Sequence, residues 1–253
     1  MRLSIITPTL NPGLQLERAI RSVLDQRVDD IEHLIVDGGS TDETIGIVRR
    51  FSHLRFLTEP DEGIFDAMNR GIERSKGEWL YFLGADDVFA DQSVLRDLIA
   101  HMSEDCDVVY GDVVSRRFSG RYDGLFDATK IRKKNISHQA IFFRRAVFER
   151  IGYFDTQYRS HADWDHNMRW ILNRNVRKKY VDRVIAIYAD GGFSSVNRDR
   201  EFERDRLFRY LSYARSEIGS VKFGALWAKD LLLGLKCRDL KRVRRTLTII
   251  SGA

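Results

Sequence analysis

Two hydrophobic periods alternate along the first half of the chain. Short continuous apolar runs, typical of buried strands, are separated by segments whose apolar residues recur at helical spacing. Strands that alternate with helices predict a parallel, doubly wound sheet with right-handed crossovers. Ser40 followed by Glu43 predicts a capping box at the start of the second helix. The predicted strands are Leu3–Thr7, Glu32–Val36, Arg55–Thr58 and Trp79–Leu83, and the predicted helices are Leu14–Gln26, Asp42–Phe51 and Gly63–Ser75.

The second half has a less regular pattern, in which a Gly-rich, aromatic hairpin region extends to about Phe126. From about Arg198 onward the pattern is helical and heavily charged. Neither an internal repeat nor a low-complexity linker divides the chain, so we predict one domain over residues 1–197 and a helical basic extension over 198–253. The further predicted elements are strands at Asp107–Val114, Gln139–Phe143 and Tyr180–Tyr188 and a helix at Trp164–Leu172.

Positive charge is concentrated at the C-terminus. The 253 residues carry a net charge of +5, but residues 221–253 hold eight basic and two acidic side chains, a balance of +6, so the other 220 residues sum to −1. A basic, Leu- and Trp-containing helix pair of this kind is typical of a protein that lies on an anionic membrane surface. The alternative is a helix docked on the domain with its charges in water. No groove-reading or base-stacking module accompanies the tail, so nucleic acid is not an expected partner.

The overall composition, with 43% hydrophobic and 31% charged residues, is that of a soluble globular protein. Cys106 and Cys237 indicate neither a disulfide framework nor a metal site, which fits a reducing compartment. The N-terminal stretch MRLSIITPTL is too short for a signal peptide, and no apolar run approaches the roughly 20 residues of a membrane span. We therefore expect a cytoplasmic protein, peripheral on the inner face of the cell membrane.

Polar and acidic residues follow each of the four N-terminal strands. In doubly wound sheets the ligand crevice lies beyond the carboxyl ends of the strands, so these four segments are expected to meet at one edge. A single loop of this kind would be unremarkable as a turn, but four in succession predict a ligand site. The segments are Pro8–Asn11, Asp37–Glu43, Glu59–Gly63 and Gly84–Asp87.

Asp86 and Asp87 place two carboxylates where a buried strand ends. Consecutive side chains on an extended segment point to opposite sides, which predicts two different roles for them. One carboxylate, with coordination sites left for water and phosphate oxygens, suits Mg²⁺ or Mn²⁺ on a diphosphate. The other can accept hydrogen bonds from a ribose hydroxyl. The competing interpretation is a helix N-cap, because a helical pattern starts near Asp91.

The ordered motifs PTLN, VDGGSTDET, GEWLYFLGADD and ADWD resemble those of family 2 nucleotide-sugar glycosyltransferases with the GT-A fold. The resemblance covers residues 1–196, and it implies a mixed, mostly parallel sheet with helices on both faces. It assigns a nucleotide-sugar-binding half to residues 1–115 and an acceptor half to residues 116–197. It also implies a metal-dependent, inverting transfer of a sugar from a nucleoside diphosphate to an acceptor hydroxyl.

The resemblance also implies the nucleotide site. Pro8, Thr9 and Asn11 would line it, Asp86 would meet the ribose, and Asp87 would ligate Mn²⁺ or Mg²⁺. A UDP-linked donor is favoured, with GDP and dTDP as alternatives.

One loop departs from the family pattern. The family commonly has DDGS, whose second acid contacts the base, and Gly38 stands in that place here. Asp37 could still reach the nucleoside, and Asp61 or Asp66 could compensate. A solvated helix residue is the competing interpretation for Asp66. The identity of the base is therefore left open.

The acceptor side needs a base that deprotonates the attacking hydroxyl, and a positioned carboxylate can do this. The resemblance assigns that role to Asp163, with a helix N-cap as the alternative, while Asp165 is interpreted as a capping or solvated acid. His138 is expected near the acceptor or the diphosphate, with simple packing as the alternative. Further expected contacts with the acceptor or the phosphates are Trp164, Gly192 and Ser194.

Two other functions stay open at this point. A sugar-phosphate nucleotidyltransferase shares such a sheet, but its GxGxRL-type loop is missing after the first strand, where PTLNPG stands. A catalytically silent nucleotide-sugar-binding protein is the second alternative. The absence of a QxxRW motif and of membrane spans favours a non-processive enzyme, whose acceptor would be a saccharide or a lipid-linked saccharide of the cell surface.

Overall fold

The structure, a computed structural model, describes residues 2–115, 120–189 and 199–251. The described residues form a nine-stranded mixed sheet. Its strands are β1 (Leu3–Thr9), β2 (Ile31–Asp37), β3 (Leu54–Thr58), β4 (Trp79–Phe82), β5 (Val88–Phe89), β6 (Val108–Val114), β7 (Arg121–Tyr122), β8 (Ile141–Arg144) and β9 (Lys178–Ile187). The order across the sheet is β3-β2-β1-β4-β8-β6-β9-β5, with β7 paired to β6.

The helices of the described residues cover the sheet and form the C-terminal region. A short 3₁₀ helix, His138–Ala140, precedes β8. The α-helices are α1 (Gln15–Leu24), α2 (Thr44–Val48), α3 (Ile64–Arg74), α4 (Val94–Ile99), α5 (Ala128–Ile131), α6 (Arg145–Ile151), α7 (Ala162–Ile171), α8 (Arg200–Ala214), α9 (Ser220–Lys236) and α10 (Leu240–Ser251).

The N-terminal four strands confirm the predicted parallel sheet. Strand β1 lies between β2 and β4 and is parallel to both, and β3 lies parallel on the outer side of β2. All seven residues of β1 are buried, as expected for a parallel strand that helices cover on both faces. Helix α1 buries Leu16, Ala19, Ile20 and Val23, which lie on one face at helical spacing. The mixed, mostly parallel sheet with helices is therefore as predicted.

The start of α2 differs from the predicted capping box. The hydroxyl of Ser40 accepts a hydrogen bond from the backbone N–H of Asn11 at 2.8 Å, so it does not cap the helix. Asp42, two residues before α2, accepts the backbone N–H of Thr44 with its Oδ1 at 3.0 Å, and the N-cap residue Glu43 makes no side-chain capping bond. The predicted capping box of Ser40 and Glu43 was therefore wrong, because the Ser40 hydroxyl bonds to the loop after β1 and not to the start of α2.

The helical C-terminal extension is confirmed, and buried ion pairs hold it together. Asp230 of α9 is fully buried and accepts from Arg242 Nε of α10 at 3.0 Å. Arg245 of α10 pairs with Asp205 of α8 at 2.9 Å. Two of the basic tail residues thus neutralise acids inside the fold. Over the described residues, no helix combines the length and apolar content needed to cross a membrane.

Candidate active site

Hydrogen bonds join the loops that follow β1 and β2 at the carboxyl edge of the sheet. Asn11 Oδ1 accepts the backbone N–H of Thr41 at 2.8 Å, and the backbone N–H of Gly13 donates to Asp42 Oδ2 at 2.8 Å. Asn11 adopts a left-handed backbone with φ of +49°. Its side chain therefore connects the two loops, and its predicted contact with the nucleotide stays a prediction.

Asp37 lies beneath the second loop. Its carboxylate is fully buried and accepts the backbone N–H of Ser40 at 3.1 Å, the N–H of Gly39 at 3.2 Å and the hydroxyl of Thr58 at 2.7 Å. These bonds satisfy the carboxylate inside the protein. Asp37 therefore holds the loop in place, and its predicted contact with the nucleoside stays a prediction.

A cavity of about 280 Å³ opens between the loop after β1 and the start of α3. Pro8 and Thr9, which were predicted to line the nucleotide site, form one wall. Asp61 reaches the same cavity from the loop after β3. The other lining residues are Leu10, Gly63, Ile64 and Ala67.

Asp66, the other candidate for base recognition, does not line this cavity. Its Oδ2 accepts the backbone N–H of Glu62 at 3.1 Å and lies 2.8 Å from Arg70 Nη2. The carboxylate thus stabilises the first turn of α3, where a negative charge is favourable. Of the two predicted substitutes for the missing acid, Asp61 lines this cavity and Asp66 does not, and the predicted role of each in base recognition stays a prediction.

Asp86 lies within a tight turn and Asp87 is its last residue, because the N–H of Asp87 donates to the carbonyl of Gly84 at 3.1 Å. The expectation of an extended segment with alternating side chains was therefore wrong. A Cβ atom built on Gly84 would lie 2.3 Å from Asp87 Oδ2 and 3.1 Å from Asp86 Oδ1. Both carboxylates thus border the same space above Gly84, and any other residue there would fill it.

Asp87 is 1% exposed. Its Oδ1 accepts the backbone N–H of Ala189 at 2.8 Å, and its Oδ2 accepts from Gln139 Nε2 at 2.5 Å. Burial, followed by the charge of Asp86, raises the pKa of Asp87 to about 6, although both hydrogen bonds oppose the shift. Gln139 was predicted only as part of a strand, and its position beside His138 was the one signal that could have identified it.

The two carboxylates fit a divalent cation held mainly by substrate phosphates. Such ions take one or two protein carboxylates and complete their shell with water and phosphate oxygens. The described residues contain no cluster of three or more acidic, histidine or cysteine ligands, so a metal site made of protein ligands alone is not formed there. Asp86, which is half-buried, offers the more accessible oxygens, while Asp87 is anchored by Gln139 and Ala189.

Asp163 lies in the first turn of α7 and is 6% exposed. Its Oδ1 accepts the backbone N–H of Trp164 at 2.8 Å, and its Oδ2 lies 3.6 Å from His138 Nδ1. His138 Nε2 is buried and has no hydrogen-bond partner among the described residues. A positive charge on His138 would also lower the pKa of Asp87. His138 therefore lies close enough to interact electrostatically with the carboxylates of Asp163 and Asp87.

Tyr122 is a neighbour of Asp163 that the sequence did not indicate. Its hydroxyl donates to the carbonyl of Asn135 at 2.8 Å. Burial, followed by the charges of Asp123 and Asp163, raises the pKa of the Tyr122 phenol. A tyrosine in a short strand carries no sequence signal for such a position.

Asp165 is fully buried, so its interpretation as a capping or solvated acid was wrong. Its Oδ2 pairs with Arg169 Nη2 at 2.8 Å, and its Oδ1 accepts from the hydroxyl of Tyr213 at 3.2 Å. Because Tyr213 belongs to α8, these bonds hold α7, and with it Asp163, against the C-terminal region.

Trp164 is half-buried and contacts α5 and α8. Its indole N–H donates to the carbonyl of Ile131 at 2.7 Å, and the Arg206 guanidinium lies 4.8 Å from its ring. Its predicted contact with an acceptor stays a prediction. The two other predicted contacts, Gly192 and Ser194, lie outside the described residues.

Comparison with known proteins decides the family. Residues 4–155 match the family described as Glycosyl transferase family 2. The chain belongs to glycosyl transferase family 2. Within this family it is 42% identical over 208 residues to a "PGL/p-HBAD biosynthesis glycosyltransferase" of Mycobacterium bovis (strain BCG / Pasteur 1173P2), covering 79% of this chain and 81% of the relative. It is 30% identical over 157 residues to "Poly(ribitol-phosphate) beta-N-acetylglucosaminyltransferase TarP" of Staphylococcus aureus (strain N315), covering 58% of this chain and 48% of TarP.

Solved structures share the fold of this glycosyltransferase. S. aureus TarS 1-349 in complex with UDP-GlcNAc has a TM-score of 0.71 and 18% identity, covering 100% of this chain and 92% of that one. The mannosyltransferase PcManGT from Pyrobaculum calidifontis, in complex with GDP-Man and Mn²⁺, has a TM-score of 0.64 and 19% identity, covering 100% of this chain and 74% of that one. The family 2 chain is thus an enzyme, a glycosyltransferase with the GT-A fold predicted from its motifs.

Proposed function

We propose that this glycosyltransferase is metal-dependent and inverting, and that it moves a sugar from a nucleoside diphosphate sugar to an acceptor hydroxyl. The observation that carries the proposal is the position of the His138–Gln139 pair, because His138 lies 3.6 Å from Asp163 and Gln139 donates a hydrogen bond to Asp87 at 2.5 Å. A UDP-linked donor is favoured. The fold neighbours bound to UDP-GlcNAc and to GDP-Man with Mn²⁺ support a donor and a cation of these classes.

In this proposal Asp163 acts as the general base. It accepts the proton of the acceptor hydroxyl while the acceptor oxygen bonds to the anomeric carbon and the bond from that carbon to the diphosphate breaks. The contact with the Trp164 N–H fixes the carboxylate, and His138 lies beside its second oxygen. A bound Mn²⁺ or Mg²⁺ would neutralise the departing diphosphate, with Asp86 and Asp87 as its protein ligands.

The proposed acceptor is a lipid-linked saccharide in glycolipid or polysaccharide synthesis, and the enzyme would work at the inner face of the cell membrane. The name of the mycobacterial relative, which refers to PGL/p-HBAD biosynthesis, supports an acceptor of this class. The surface of α9 supports membrane contact, because Leu232 and Leu235 are 64% and 55% exposed. Exposed Lys222, Lys229 and Lys236 recur every seven residues and so form a row along one side of α9.

Substitution of the base tests the catalytic proposal. Asp163→Asn should bind UDP with Mn²⁺ as the wild type does, measured by calorimetry, but should release UDP from UDP-sugar donors about 10²- to 10⁴-fold more slowly in the presence of acceptor. Asp105→Asn is the matched control, because its side chain is 99% exposed. Wild-type turnover by Asp163→Asn would remove Asp163 as the base. If the protein instead releases pyrophosphate from UTP and a sugar phosphate, it is a nucleotidyltransferase. If it binds the nucleotide sugar but turns over no substrate, it is a catalytically silent binding protein.

A further inference from the structure

Gly38 is not required by the backbone of its loop. Its neighbour Gly39 has φ of +96°, a conformation that side chains rarely adopt, but Gly38 has no such positive φ. Another residue could therefore adopt the backbone conformation at position 38. The reason for glycine at this position must be sought in the space around it.

The carboxylate of Asp61 occupies that space. A Cβ atom on Gly38 would lie 2.3 Å from Asp61 Oδ2 and 2.9 Å from its Cγ, closer than real Cβ contacts allow. The N–H of Gly63 donates to Asp61 Oδ1 at 2.9 Å and holds the carboxylate in place. A side chain at position 38 would thus require the Asp61 carboxylate to move, and the chain has the carboxylate from the β3 loop instead of the β2 loop.

The cavity beside Asp61 has an unsatisfied polar group of its own. Thr9 is 5% exposed, and its hydroxyl has no hydrogen-bond partner within the described part of the chain. Thr9 and Asp61 line the same cavity of about 280 Å³. Burial, followed by the charge of Asp66, raises the pKa of Asp61, although the Gly63 N–H opposes the shift. A ligand that donates a hydrogen bond to this half-buried carboxylate would be favoured, because hydrogen bonds to charged groups are among the stronger ones.

We propose that Asp61 recognises the nucleobase in place of an acid at position 38, and that it selects bases with a ring N–H. The proposal rests on the proposed function and specifies its donor. Uracil, thymine and guanine each have a ring N–H next to a carbonyl. The ring N–H can donate to the Asp61 carboxylate, and the carbonyl can accept from a hydroxyl such as that of Thr9. Cytosine and adenine have an unprotonated ring nitrogen at the corresponding edge, and its lone pair would face the carboxylate.

Calorimetry with UDP, dTDP, GDP, CDP and ADP in the presence of Mn²⁺ tests this selection. The wild type should bind UDP, dTDP or GDP at least tenfold more tightly than CDP and ADP. Asp61→Ala should weaken binding of the preferred nucleotide about 10- to 100-fold, because a hydrogen bond to a charged group is lost. Asp61→Asn, which keeps an acceptor for the Gly63 N–H, should bind CDP more tightly than the wild type does. Glu62→Gln, an exposed change in the same loop, is the matched control.

Relocation of the carboxylate is the sharper test. Gly38→Asp alone should bind poorly because of the clash with Asp61, whereas Gly38→Asp combined with Asp61→Gly should regain base selectivity. Thermal melts establish that each variant is folded. Unchanged UDP affinity and base selectivity in both Asp61→Ala and Asp61→Asn would overturn the inference but leave the proposed function intact. A wild-type protein that binds none of the nucleotides would overturn both.

Discussion

Ionised Asp87 costs the folded protein stability. The carboxylate is 1% exposed, and burial and Asp86 raise its pKa to about 6, against roughly 3.9 in an unfolded chain. For an acid whose folded pKa is raised, the stabilising contribution is fully present below the unfolded pKa and is lost as the pH rises through the folded pKa. Between pH 4.5 and pH 8 the loss is roughly 2 kcal/mol, since each pKa unit corresponds to about 1.4 kcal/mol.

Asp87→Asn removes the titration while keeping the shape of the side chain. Its amide oxygen can still accept from the Ala189 N–H, but the bond from Gln139 is disturbed equally at every pH. The unfolding free energy of the variant relative to wild type should therefore rise by roughly 2 kcal/mol from pH 4.5 to pH 8.

Urea denaturation at four pH values measures this difference, and the melting temperature should follow by about 2–4 °C per kcal/mol. Asp105→Asn, with its exposed side chain, should show no such trend. A constant difference between wild type and Asp87→Asn across the pH range would refute the burial argument. A larger stabilisation of wild type by Mn²⁺ with UDP at pH 8 than at pH 5 would add support to the proposed metal role of Asp87.

Two further predictions concern the C-terminal region. The double variant Lys229→Glu and Lys236→Glu should cosediment at least tenfold less with vesicles that contain anionic lipid, because each basic residue near the surface contributes about 1 kcal/mol. Its binding to uncharged vesicles should not change. Equal binding of variant and wild type to anionic vesicles would favour a helix that is only docked on the domain. Asp165→Asn should lower the unfolding free energy by about 3–5 kcal/mol, because Arg169 would be left buried without its partner. Asp182→Asn, whose side chain is 77% exposed, should change it by less than about 0.5 kcal/mol in the same urea titration.

The sequence predicted the elements whose signals are local and long. The apolar runs of β1, β2 and β4 are continuous, and the apolar face of α1 repeats regularly, so each could be assigned without knowledge of its partners. Strand β5 has two residues, too few to form a pattern.

The site was harder to predict because its geometry depends on turns and on distant contacts. The Gly84–Asp87 turn places two adjacent carboxylates beside the same space, whereas an extended segment would have directed them to opposite sides. The contact between Gly38 and Asp61 joins two loops that follow different strands, and the bond between Asp165 and Tyr213 joins residues 48 apart. Sequence motifs named the residues that meet at the sheet edge, but not which of them are satisfied inside the protein.

The contact between Asp165 and Tyr213 has a consequence for how the enzyme can be divided. Asp163 and Asp165 share the first turn of α7. Asp163 lies beside His138, and Asp165 is hydrogen-bonded to Tyr213 of α8. A chain cut after residue 197 would contain every carboxylate of the proposed reaction but would lack this support. The C-terminal helices therefore support the proposed active site, and an exchange of this region between relatives should succeed only when the partner of Asp165 is exchanged with it.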